Sequence, residues 1–271
     1  MENWCEQEEI LDILKIFGRS EIRIKILIIL GYSEAKIGVL SEKLNLTSSN
    51  ILHAMKALEE IEIIKKSREV YSLTNIGYIL FKSFNNSIRI ITTLSKNSKF
   101  WLSHDISGIP EHLLNQIGKI HSCEIVRSSP ENIIWPLTNF IDIVSKAKWM
   151  KGISPIFCIE FFNLVKTLLE KNNNVELILT DLVLSKVLIT GNEKPGFLEE
   201  AYNDGRLKLF KIDDDVKVGF TITDSVISLG LFDREGDYDM ANDLVGYEEG
   251  ALEWGMQLYE YYRNQAVEVR L

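Results

Sequence analysis

Apolar residues recur at helical spacing through the first third of the chain, in successive runs. Ile10, Leu11, Leu14 and Phe17 make the first run, and Ile22, Ile26, Ile29 and Leu30 make the second. Gly18-Arg19-Ser20 breaks them apart, Ser20 suits the N-cap of the second helix, and Gly31 ends it. A short helix over about Ile37 to Leu44 follows, then the turn Asn45-Leu46. In the next helix Ile51, Met55, Leu58 and Ile61 lie at spacings of four, three and three, which makes one apolar stripe. Thr47 is its natural N-cap, with Ser48, Ser49 and Asn50 in the first turn. Alternation then predicts a hairpin: Ile63 to Lys66, the turn Ser67-Arg68-Glu69, and Val70 to Leu73. Thr74 caps a long helix reaching about Leu94, whose residues Ile76, Leu80, Phe84, Ile88 and Ile91 form a stripe longer than one small domain covers. That surplus points to a dimerisation and connecting helix, with packing on the second domain as the alternative. The polar segment Ser95 to Lys99 reads as the linker.

Beyond it the pattern changes to strands alternating with helices. Strands are expected at Ser122 to Arg127, Trp149 to Ile153 and Val175 to Thr180, the last with the all-buried character of a parallel sheet. Helices are expected over Glu131 to Lys146, Ile156 to Lys171, Leu182 to Thr190 and Gly196 to Tyr202. Three strands follow, Leu207 to Ile212, Val216 to Thr223 and Val226 to Phe232, joined through Asp213-Asp214-Asp215 and Thr223-Asp224-Ser225. A last helix runs from about Glu248 to Arg263. The chain therefore reads as α+β or α/β in two domains: a winged helix-turn-helix with its long helix over residues 1–96, and an α/β sandwich over 97–271.

Composition narrows the function. The 271 residues carry a formal net charge of −9. Between Arg19 and Asn75 there are nine basic and seven acidic residues, so that window is +2 and the remainder −11. A +2 window is a weak footprint for phosphate, and a homodimer offering two such surfaces is the natural remedy. Cys5, Cys123 and Cys158 form no CxxC pair, so no disulfide framework or zinc ribbon is suggested. The start, MENWCEQEEI, is acidic without an apolar core, and no run is long enough to span a bilayer, so a cytoplasmic protein without a membrane partner is expected.

Candidate chemistry falls in two places. On the helix after Asn45-Leu46, Thr47, Ser48, Ser49, Asn50, His53 and Lys56 lie away from the stripe, where a helix N-terminus meets base edges and backbone. Lys65, Lys66 and Arg68 crowd the hairpin tip, placed for phosphate or the adjacent minor groove of double-stranded DNA. The bland alternative is a packed amphipathic helix in a protein-interaction adaptor. In the second half, ligands are expected beyond the C-terminal ends of strands. The candidates there for a small-molecule effector or signalling protein are His104, Asp105, Ser154, Pro155, Thr180, Asp181, Asp224, Asp233 and Trp254, with turn chemistry and core packing as the structural alternatives. His121 with Cys123 lacks a second pair for a metal, and no cofactor motif (GxGxxG, GxxxxGK[ST], GxSxG or HExxH) occurs.

Several strings point to a family. YSLTNIG resembles the second wing strand and helix start of archaeal winged-helix regulators. FWLSHDISGIP, MKGISPIF, VELILT, TDSVISLGLFDREGDYD and ALEWGMQLYEYYR resemble the C-terminal domain of the methanogenesis regulatory protein family of methanogenic archaea. That resemblance implies an arsenic-repressor-like winged helix followed by a regulatory domain similar to the phospholipase D-like halves that archaeal sugar-responsive regulators use as effector sensors. Active phosphodiesterases of that fold carry HxKxxxxD. Two residues after His53, His104, His112 and His121 stand Met55, Ile106, Leu114 and Cys123, so no lysine completes the motif and a transcription regulator, not an enzyme, is implied.

Overall fold

A computed structural model describes residue 15 and residues 17–191, 196–213 and 215–271. The expected helix over Ile10 to Phe17 and the centre of the Asp213-Asp214-Asp215 turn lie outside the described residues, apart from their flanks. The architecture is mixed α and β, in two compact units that meet in sequence between Ile88 and Arg89.

The first unit is built from α1 (Glu21–Tyr32), α2 (Ile37–Leu44), α3 (Ser48–Glu60), the hairpin β1 (Ile64–Ser67) and β2 (Val70–Leu73), and the start of α4 (Asn75–Lys96). Each boundary has a local cause. The Ser20 hydroxyl accepts from the Arg23 amide at the head of α1, and Thr47 Oγ1 accepts from the Asn50 amide at the head of α3. Asn45 ends α2 in the left-handed region at φ 53°, a conformation asparagine tolerates. Thr74 Oγ1 takes the Gly77 amide and donates to the Glu62 carbonyl, so one hydroxyl both starts α4 and closes the hairpin. A Cβ on Gly77 would fall on the Ile63 carbonyl oxygen, which is why α4 begins with glycine near its head. Ile26, Leu27, Leu40, Ile51, Met55 and Leu58 are buried together as the core.

The second unit has one eight-stranded sheet, in the order β10-β6-β5-β4-β7-β8-β9-β3. Its strands are β3 (Glu124–Arg127), β4 (Trp149–Ser154), β5 (Asn174–Thr180), β6 (Leu207–Ile212), β7 (Val218–Thr223), β8 (Ile227–Leu231), β9 (Asn242–Gly246) and β10 (Val267–Val269). β4, β5 and β6 are mutually parallel, while β7, β8, β9 and β3 continue the sheet antiparallel. One face packs on α5 (Ser98–Ser103), α6 (Glu111–Leu114) and α11 (Glu249–Arg263), burying Phe100, Leu113, Trp254, Leu258 and Tyr259. The other carries α7 (Trp135–Val144), α8 (Ile159–Glu170), α9 (Asp181–Gly191) and α10 (Phe197–Asn203) over Leu177, Leu179, Leu207 and Leu209.

Three sequence expectations change here. The Ser95 to Lys99 stretch is not a linker: α4 runs to Lys96, α5 starts at Ser98, and between them buried Asn97 donates from Nδ2 to the Cys123 carbonyl. The helix expected from Glu131 starts at Trp135, because the preceding residues form a turn held by reciprocal Ser129 and Asn132 backbone bonds. Strands β9 and β10 were not anticipated.

Candidate functional site

On α3 the apolar stripe is turned inward: Ile51, Ala54, Met55 and Leu58 are buried. The opposite side, Thr47, Ser48, Ser49, Asn50, His53 and Lys56, is exposed. Ser48 shares a 3.3 Å hydroxyl contact with Ser41 on α2, which ties the start of α3 to its neighbour. Lys56 Nζ stands 3.9 Å from Glu60, an exposed i,i+4 pair too weak to hold the lysine away from another anion. Lys65, Lys66 and Arg68 are exposed along and beyond β1, with Arg68 at φ 58° in the tight turn. Lys66 Nζ lies 5.4 Å from the Tyr71 ring centroid, so its stem is laid along the hairpin.

The second unit holds a cavity of about 110 Å³ on the α7–α8 face of the sheet. It opens where the helix-facing residues change from the leucines of β5 and β6 to Gly152, Gly219, Thr221 and Ser228 on β4, β7 and β8, with Asp243 on β9. Phe140 of α7 and Phe161 and Phe162 of α8 wall one side, and the segment after β8 closes another with Tyr238 and Asp239. The Tyr238 ring occupies the space that side chains on the paired Gly219 and Gly230 would fill. Asp243 is 9% exposed, and Ser228 Oγ donates to its two oxygens at 2.8 and 2.9 Å. Burial pushes the Asp243 carboxyl up to about 6 and also raises the Tyr238 phenol. Asp239 accepts from the Ala241 amide at Oδ1 and from Asn242 Nδ2 at Oδ2.

Two family descriptions match this sequence: "Methanogenesis regulatory protein FilR1, N-terminal domain" over residues 11–94 and the middle domain of the same protein over 134–265. The chain belongs to the methanogenesis regulatory protein FilR1 family. It is 27% identical over 265 residues to methanogenesis regulatory protein FilR1 of Methanothrix harundinacea, covering 97% of this chain and 59% of that relative. The chain thus spans about six tenths of the length of its FilR1 relative. An uncharacterized protein of Methanocaldococcus jannaschii, MJ0432, is 40% identical over 93 residues, 31% of this chain and 97% of that protein. Among solved structures, the archaeal chromatin protein TrmBL2 aligns over 96% of this chain and 99% of its own at 10% identity and a TM-score of 0.42. Lactococcus lactis ZitR covers 38% of this chain and 70% of its own at 24% identity and a TM-score of 0.27. Both structural likenesses are too slight to bear on function.

In this FilR1-family chain the strand-end candidates do not form one cluster. Of them, Ser154 lines the cavity, its hydroxyl donating to the Ile156 carbonyl, and Pro155 is the half-buried residue beside it. Thr180 is buried at the end of β5, and exposed Asp181 pairs with Lys211 at 3.1 Å. Asp224 accepts from the Lys148 amide, and Asp233 accepts from the amides of Glu235 and Asp237, so both are turn anchors. Asp105 caps the Ser107 amide, a hydrogen bond that lowers its carboxyl.

Two candidates are corrected outright. Trp254 is fully buried in the core with its indole N–H donating to the Leu113 carbonyl at 3.0 Å, so it meets no ligand. His104 is 6% exposed, with its ring nitrogens 2.7 Å from the Phe100 carbonyl and 2.9 Å from Asp239 Oδ2. It braces Asp239 rather than a ligand. His121 is likewise a backbone anchor, its Nδ1 lying 3.0 Å from the Gly118 carbonyl. Tyr238, Asp239 and Asp243 are among the cavity residues that sequence reasoning missed. A readable signal existed in Asp243, an acid one residue before the apolar pair Leu244-Val245.

Proposed function

We propose that this FilR1-family chain is an archaeal transcription regulator that binds duplex DNA as a homodimer through a winged helix-turn-helix. α3 would enter the major groove, with Ser48, Ser49, Asn50 and His53 nearest the bases and Lys56 nearer the backbone. β1 and β2 would be the wing, whose Lys65, Lys66 and Arg68 hold phosphate. The observation that carries this reading is the exposure of α3's whole polar side while its stripe is buried. Side chains able to donate and accept face outward from the first turns of a helix that follows a short helix and a tight turn, as a recognition helix requires. The family's regulatory name supports the role in gene control.

The second unit is read as a phospholipase D-like half that senses an effector and performs no phosphoryl transfer. Counting the HxKxxxxD spacing back from Asp224 places Lys217 at the histidine position and Gly219 at the lysine position, so both the nucleophile and its lysine are replaced. Selection from a random duplex library by the purified chain at about 0.1 M salt tests the DNA reading, because phosphate contacts still contribute at that ionic strength. Enrichment of a palindromic site is expected. Retention of no duplex would refute the reading and leave the protein-interaction adaptor in its place.

A further inference from the structure

The sensing role proposed above leaves the effector's chemistry open, and the cavity carries information about it. We propose that this cavity receives a small organic cation, a protonated amine on a short apolar body, with Asp243 as its counter-ion. The inference rests on the sensing reading but names a ligand class that the reading does not require.

Three observations carry it. First, the cavity lies where the floor of the sheet changes from leucines to the shorter Gly152, Thr221 and Ser228, with Tyr238 filling the space over Gly219. A volume of about 110 Å³ is several times what one water requires, so a small molecule fits. Second, the charge in it has one sign. Asp239 and Asp243 are among the lining residues, and no lysine, arginine or histidine is among the described residues that line it. The basic groups nearby act from outside: His104 lies behind Asp239, and Lys186 Nζ stands 5.8 Å from the Phe157 ring at the rim. Glu160, whose carboxylate accepts from the Cys158 thiol beside the cavity, adds a further negative charge.

Third, the two acids differ in how they are satisfied. Asp239 takes an amide N–H and an asparagine N–H and leans on His104. Asp243 has one hydroxyl as hydrogen-bond donor, that of Ser228, although a carboxylate offers about four acceptor positions. Burial disfavours its charged form, and an ammonium bound beside it would reverse that effect. The aromatic wall of Phe140, Phe161 and Phe162 accepts an apolar body, and a cation near such ring faces gains further attraction. A carboxylate or phosphate ligand would instead meet two acids without a lining cation.

The test uses the full chain at pH about 8, above the Asp243 carboxyl's value of about 6. Hexylamine, hexanoate and hexanol are compared by calorimetry and by alkylation of Cys158, which lines the cavity and is half-buried. Hexylamine alone should bind and should slow labelling of the Cys158 peptide, read by mass spectrometry. Asp243→Asn should weaken hexylamine at least about tenfold, as expected when one member of a buried charge pair is removed. Should that variant misfold, Cys158 protection in the native chain still decides. Hexanoate or hexanol binding as well as hexylamine would overturn the cation proposal and leave the sensing reading standing. Absence of binding and protection by all three would overturn the cavity as the receptor for such a cation and leave the sensing reading, which names no ligand class, standing.

Discussion

Replacement of Lys66 and Arg68 by alanine probes the DNA reading at its most quantitative point. Both side chains are exposed, and Lys66 lies along the Tyr71 ring, so the fold should change by no more than about 0.5 kcal/mol. Each phosphate contact contributes about 0.9 to the slope of log K against log salt. Two contacts per protomer therefore contribute about 1.8, which between about 1 M and 0.1 M salt amounts to about 60-fold in affinity, or roughly 2.4 kcal/mol. If two protomers bind one site, the slope change doubles to about 3.6, so the same titration counts the wings on the DNA. Fluorescence anisotropy of a labelled duplex across a salt series, with circular dichroism to verify folding, supplies both numbers. Equal loss on specific and unrelated sequences is expected, because phosphate contacts carry no base information. An unchanged slope in the folded variant would refute the assignment of the hairpin as a wing.

Gly77→Ala should destabilise the first unit by about 1–3 kcal/mol, since its Cβ must displace the Ile63 backbone carbonyl; urea denaturation measures this, and a neutral outcome would contradict the packing at the start of α4. Asp243 has a folded-state value of about 6 against an ordinary 3.8, so the folded chain binds more protons between those values. Its contribution to stability is fully present below about 3.8 and lost as pH rises through about 6, by at most about 3 kcal/mol. Asp243→Asn should flatten that fall in urea midpoints between pH 4 and pH 7, and a parallel decline in both proteins would place the proton elsewhere. Trp254→Phe deprives the Leu113 carbonyl of its indole donor and should cost about 1–3 kcal/mol while leaving hexylamine affinity unchanged; altered affinity would return Trp254 to the ligand site.

The helices of the first unit were legible to within a residue or so because each has both a stripe and a cap: Thr47 and Ser20 at the heads, Asn45 at a tail, and Ile51, Met55 and Leu58 on one side. The parallel strand β5 was legible from its apolar residues Val175, Leu177, Ile178 and Leu179. Polarity misled at Asn97, which is buried because its amide satisfies the Cys123 carbonyl, a partner 26 residues away. β9 was missed since Asn242, Asp243 and Gly246 are poor strand formers; tertiary pairing with β8 and β3 overrides that preference. The rule that ligands sit at strand ends led to Ser154 but not to the cavity's acids. Those come from the start of β9, beside the edge strand, and from the segment after β8, where the decisive feature is small residues on neighbouring strands. Register, which a linear pattern does not contain, brings them side by side.

The glycine, threonine and serine floor of the cavity has a bearing on how a signal would be read. A hollow made by short side chains on hydrogen-bonded strands keeps its shape whether full or empty, because nothing in the ladder relaxes into it. A guest entering it orders little of the host, and tightness of binding is then governed by fit and by the water it displaces. Such a receptor is easily retuned: exchanging Thr221 for a bulkier residue would plug it from below while the hydrogen-bonded ladder under it kept its register.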